Sequence, residues 1–163
     1  MQCIKLSRHL NNNIYFLFWK YPFFYLTLMN QSKKSIIYYI GDTMYMKINN
    51  LNIYYEKHGT KEQTILILPG WGDNRKTFSN LINFLKNYFT IYILDYPGFG
   101  NSSFKETLTI FDYADIINIF VKKLNLENAI LIGHSFGGRI ISILTTKYNI
   151  KYKKIILMDV AGL

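Results

Sequence analysis

Cysteine is nearly absent: Cys3 is the only one in the chain, and histidine is limited to His9, His58 and His134. A lone thiol excludes any disulfide framework or cysteine metal site within the chain. It is compatible with a reducing compartment, and the expected location is cytoplasmic. The three histidines are scattered without metal-ligand spacing, so no metal and no cofactor is expected. No internal repeat marks a solenoid or propeller. Nor is there an uninterrupted apolar run of the roughly 20 residues that a membrane-spanning helix needs.

Half of the 163 residues are hydrophobic and 18% are charged, which fits one globular domain with a real core. The net charge of +9 is spread along the chain: residues 1–43 carry five basic and one acidic residue, and residues 44–163 carry fourteen and nine. The one dense run is Lys147, Lys151, Lys153 and Lys154, the pattern of a solvated rim. Without a recognition helix or a stacking platform beside the charge, no nucleic-acid partner is expected.

Residues 1–43 differ from the rest. Ile14 to Met29 is aromatic and apolar, follows Lys5 and Arg8, and is interrupted by Lys20 and Pro22, with no small-residue cleavage site after it. The expectation is an N-terminal extension, disordered or membrane-interfacial, outside the fold, with translation starting at Met44 or Met46 as the plain alternative. Membrane association through Ile14 to Met29 is the weaker reading. The domain is expected over residues 44–163.

From Met46 the periods become regular. Met46-Lys47-Ile48 and Leu51 to Tyr55 alternate around Asn49-Asn50, the pattern of an antiparallel hairpin. Thr64 to Leu68 and Ile91 to Leu94 are short apolar runs of the kind buried on both faces of a parallel sheet. Phe78, Leu81, Ile82 and Leu85 fall at helical spacing between them. A second helix is signalled by the Thr109 to Asp112 capping pattern, with Ala114, Ile117, Phe120, Val121 and Leu124 on its apolar face. Strands alternating with helices predict a doubly wound, mostly parallel α/β sheet with an N-terminal antiparallel hairpin.

The pentapeptide Gly133-His134-Ser135-Phe136-Gly137 lies between the strand-like run Ala129 to Ile132 and a helix-like run to Tyr148. A serine on so sharp a turn is expected to take a strained backbone, and side chains at positions 133 and 137 would collide with the neighbouring strand and helix. By this nucleophile elbow the chain resembles the α/β-hydrolase superfamily. Leu66 to Gly72, with Pro69-Gly70-Trp71-Gly72, is similar to the oxyanion loop after that family's third strand, with Pro69 where many members carry histidine. Ile93 to Ser102 is similar to the loop after its fourth strand, and Ile155 to Asp159 to its sixth strand. The resemblance covers Met46 to Leu163 and implies an incomplete α/β-hydrolase domain.

The resemblance implies Ser135 as nucleophile and the backbone N–H groups of Trp71 and Phe136 as an oxyanion hole. Asp159 is a candidate acid, with a structural role beside the site as the commoner alternative. Asp95 is expected to hydrogen-bond N–H groups of the Tyr96 to Gly100 loop rather than to act in catalysis. His58 reads as a turn residue before Gly59, and His134 as a neighbour whose ring points away from Ser135. The family's histidine falls well beyond the elbow, so this chain is expected to be an N-terminal part, poorly active alone. The implied function is that of a serine hydrolase acting on an ester or similar acyl bond of a small-molecule substrate. Trp71 is reminiscent of small carboxylesterases that cleave pimeloyl esters. The alternative is a non-catalytic α/β module, truncated or kept for interaction.

Overall fold

The computed structural model describes residues 13–18, 25–30, 36–40, 43–73, 75–148 and 150–160, with side chains from residue 44. Cys3, His9, Lys20 and Pro22 lie outside the described residues.

The strands are β1 (Asn13–Phe18), β2 (Tyr25–Asn30), β3 (Ile36–Ile40), β4 (Thr43–Ile48), β5 (Leu51–His58), β6 (Thr64–Leu68), β7 (Thr90–Leu94), β8 (Ile130–His134) and β9 (Lys154–Met158). They form one sheet in the order β1-β2-β3-β4-β5-β7-β6-β8-β9. From β1 to β7 the neighbours are antiparallel, and from β7 to β9 they are parallel. The expected hairpin is β4–β5. Asn49 and Asn50 close it with φ of 47° and 65°, both in the left-handed region that a tight two-residue turn requires. Beyond β4, the backbone of β1, β2 and β3 lies within the span that the sequence sets apart from the domain.

Three helices connect the parallel strands. The short turn Arg75–Phe78 leads into α1 (Ser79–Leu85), α2 (Ile110–Leu124) joins β7 to β8, and α3 (Phe136–Lys147) joins β8 to β9. The helices cover both faces of the sheet at β6, β7 and β8, as their continuous apolar runs demand, while β9 is exposed along its length. On one face Leu66, Leu68, Leu94 and Leu131 pack with Ala114, Ile117 and Phe120 of α2 and Ile140 and Leu144 of α3. On the other, Ile65, Ile67, Ile91, Ile93, Ile130 and Ile132 pack with Phe78 and Ile82. The α2 start is the capping box read from sequence: Thr109 Oγ1 accepts from the Asp112 N–H at 3.3 Å, and the Thr109 N–H donates to Asp112 Oδ2 at 2.7 Å. No helix among the described residues is long and apolar enough to cross a membrane.

The chain runs from β6 to β7 on one side and then returns to place β8 on the other. Loops leaving the carboxyl ends of β6 and β8 therefore diverge, opening a crevice where α/β sheets bind ligands. Trp71 follows β6 there and Ser135 follows β8.

Candidate active site

Ser135 stands between the last residue of β8 and the first of α3, with φ 46° and ψ −110°. A non-glycine residue held there costs about 1–3 kcal/mol and persists only where the surroundings enforce it. The enforcement is visible. The Ser135 N–H donates to Met158 O at 2.9 Å, and its carbonyl accepts from Gly138 N–H at 3.0 Å. Its side chain does not cap the helix. A Cβ on Gly133 would lie 2.8 Å from the Gly138 backbone, and one on Gly137 would lie 2.0 Å from Leu68 O. The two glycines thus allow helix and strand ends to close on the turn. Gly138 has a related role, because a Cβ there would lie 2.1 Å from Val160 Cγ2.

The loop after β6 meets this turn. Gly72 has φ 77°, the Asp73 N–H donates to Gly70 O at 3.3 Å, and Asp73 Oδ2 lies 3.2 Å from His134 Nδ1. The His134 ring therefore bonds the Trp71 loop. Trp71 is 60% exposed, with its ring edge-on to Phe99, Tyr113 and Phe136 at centroid separations of 4.9, 5.9 and 5.0 Å. Beneath it the Tyr96 hydroxyl donates to Pro69 O at 3.3 Å and the Tyr113 hydroxyl to Pro97 O at 3.1 Å. Burial, and then the nearby Tyr113, push the Tyr96 phenol well above its ordinary range, so it remains a neutral donor. Trp71, Ser135, Phe136 and Arg139 line a cleft of about 320 Å³.

A second polar cluster braces the adjoining loops. Arg75 Nη1 donates to the buried Asp95 Oδ2 at 2.7 Å, Arg75 Nε donates to Glu56 Oε1, and the guanidinium lies 4.3 Å from the Tyr54 ring. Asp95 also accepts the Asn101 N–H at 2.9 Å, one residue beyond the loop segment expected from sequence. Gly98 and Gly100 in that loop have φ of 87° and 51°. Asp95 Oδ2 fills the space that a Cβ on Gly100 would occupy. His58 ends β5 with Nε2 2.9 Å from Glu56 Oε2.

Asp159 follows β9 in an exposed bend with φ 50°. The β8–β9 register pairs His134 with Met158, which places Asp159 level with Ser135. Three site residues escaped the sequence reading. Arg75 has partners 19 and 20 positions away, and the Asp73 contact with His134 spans 61 positions, so neither contact carries a local signal. Arg139 had one: four residues after Ser135 on a helix is the same face. Among the described residues, no group of three or more His, Cys, Asp or Glu is placed to hold a metal ion.

Known proteins match part of this chain. A "Probable serine hydrolase" of Drosophila melanogaster is 34% identical over 109 residues, covering 64% of this chain and 33% of that protein. A pimeloyl-(acyl-carrier protein) methyl ester esterase of Proteus mirabilis is 31% identical over 90 residues, covering 55% of this chain and 33% of that protein. The chain thus spans about a third of the length of these curated relatives. The solved structure of a marine microorganism esterase is 30% identical with a TM-score of 0.61, covering 64% of this chain and 40% of that one. The family model for the alpha/beta hydrolase fold matches residues 63–161. With a doubly wound sheet, a strained serine between β8 and α3 and this match over more than half of its length, the chain belongs to the α/β-hydrolase family.

Proposed function

We propose that the chain is part of a serine hydrolase of the esterase type, with Ser135 as its nucleophile and a small-molecule acyl ester as its substrate. The observation that carries this reading is the backbone of Ser135, held at φ 46° in a cleft shared with Trp71 and Phe136. Strain of this kind at a strand-to-helix turn lifts a hydroxyl clear of the sheet. The substrate carbonyl would sit over Ser135 Oγ, and the hydroxyl oxygen would add to the acyl carbon as its proton passes to a base. The carbonyl oxygen then becomes the oxyanion, received by the N–H groups of Phe136 and Trp71. Phe136 opens α3, so its N–H lies at the positive end of the helix dipole. As the intermediate collapses, the base returns the proton to the leaving oxygen, which departs as the alcohol, and the acyl-serine remains for water to cleave. The base is proposed to come from outside the described residues, because His58 bonds Glu56 and His134 bonds Asp73.

Those two engaged rings also support a second reading, a non-catalytic α/β module. A fluorophosphonate probe separates the two. The expected result is slow labelling confined to Ser135 and abolished by Ser135→Ala. Oxyanion donors and binding alone retain roughly 10³–10⁴ of acceleration over water when triad members are removed. Absence of labelling, or labelling that survives Ser135→Ala, refutes the nucleophile assignment and favours the second reading.

A further inference from the structure

We infer that Arg139 selects substrates carrying an anionic group, a carboxylate or a phosphate, a short distance from the scissile acyl bond. The inference deepens the esterase reading and takes Ser135 as the reacting residue. Arg139 lies one turn into α3, about 6 Å along the helix axis from Ser135. Side chains on a helix lean toward its N-terminus, so the guanidinium leans toward the serine. It is exposed and lines the same cleft as Ser135, Phe136 and Trp71. Among the described residues no carboxylate forms an ion pair with it.

The surroundings add positive potential without neutralising it. The first turn of α3 has no acidic residue, and Ser135 does not cap it. A cation this near a helix N-terminus is placed against the dipole, an arrangement that a bound anion relieves. Among the described residues the acids on neighbouring elements and loops make no ion pair with it. Asp73 is engaged by His134, Asp115 by Lys147, and Asp159 is exposed in its bend. The rest of the cleft wall is aromatic, with Trp71 set edge-on to Phe136. An apolar spacer between the ester and the anion would lie along those rings while the anion met the guanidinium in a bidentate contact.

The test uses alkyl fluorophosphonates of one chain length that end in a methyl group, a carboxylate or a phosphate. With the native chain, the anionic probes should label Ser135 roughly fivefold to tenfold faster than the neutral one, the size of a charge-assisted contact discounted for exposure. In Arg139→Gln that ratio should fall to about one, and Arg139→Lys should keep part of it, because lysine retains the charge without the fork. Comparing the carboxylate and phosphate arms shows which anion is preferred. Equal rates for charged and neutral probes, or a preference that persists in Arg139→Gln, overturn the inference. A separate readout is quenching of Trp71 fluorescence by short alkyl esters bearing the same end groups, with Trp71→Phe as the control. An Arg139-dependent preference in quenching without any labelling would uphold the anion site while refuting the nucleophile. The reverse outcome would uphold the nucleophile and refute the anion site.

Discussion

Gly137, in the first turn of α3, presses against Leu68, the last residue of β6, so closely that a Cβ would lie 2.0 Å from the Leu68 carbonyl oxygen and 2.7 Å from that of Pro69. The contact joins the serine turn to the loop that carries Trp71. Both atoms it would strike belong to the backbone, so no side-chain rotation relieves the overlap. Gly137→Ala should therefore destabilise the fold by about 1–3 kcal/mol or more, the range of overpacking. Urea unfolding followed by circular dichroism measures it. A midpoint equal to that of the native chain would mean that the contact yields freely.

Arg75 holds two carboxylates, and one of them, Asp95, has a fully buried side chain. Arg75→Met removes the partner and leaves Asp95 uncompensated, which should cost about 3–5 kcal/mol. The loss has a pH signature. Burial acts to raise the Glu56 carboxyl, but hydrogen bonds from His58, Tyr54 and Arg75 outweigh it and hold the group below its ordinary value. A carboxyl depressed in the folded state stabilises the fold above its unfolded pKa, and that contribution is lost as pH falls through the folded pKa. Without Arg75 the depression is smaller, so acid unfolding should begin at a higher pH in Arg75→Met. Unfolding midpoints collected from neutral pH down through the carboxylate range test this, and an unchanged acid limb would remove Glu56 from the account.

Several elements were legible in the sequence because each carries a local mark. The Asn49-Asn50 turn, the Thr109 cap and the glycines around Ser135 act on their own neighbours, so type and spacing suffice to read them. Braces such as Arg75–Asp95 and His134–Asp73 join residues that only the folded sheet brings together. The sequence singled out Asp95 and His134 but not Arg75 or Asp73, because nothing local ties either pair together. Trp71 shows the same limit. Its place in the loop was readable, whereas its edge-on contacts with Phe99 and Phe136 depend on three separate strand ends meeting at one crevice.

The domain boundary at Met44 is a proposal of the same kind as the site. Met46 and Ile48 of β4 are buried against the core shared with α2, and β4 pairs along its length with β5 through a two-residue turn. That hairpin closes locally and needs no contribution from residues 1–43 to set its register. A chain starting at Met44 should unfold cooperatively in urea. Loss of the cooperative transition would assign residues 1–43 to the folding unit.

His134 offers the sharpest check on how the serine is served. Its Nδ1 lies 3.2 Å from Asp73, in the loop that carries Trp71, its ring is set edge-on to Phe78 at 6.2 Å, and it is not among the cleft-lining residues. On the proposed reading a ring so placed positions the Trp71 loop and does not take the serine proton. His134→Gln should then slow fluorophosphonate labelling by roughly a few fold, as small misplacements of oxyanion donors do when the attacking group is intact. It should also leave the shape of the pH profile unchanged, since the group that accepts the serine proton is still in place. Asp73→Asn should act in the same direction, and the double variant should be no worse than the more damaging single one, because both changes break one contact. If His134→Gln instead lowered labelling to the level of Ser135→Ala, or abolished its pH dependence, the ring would have to turn from Asp73 to Ser135 during reaction, and His134 would be the base.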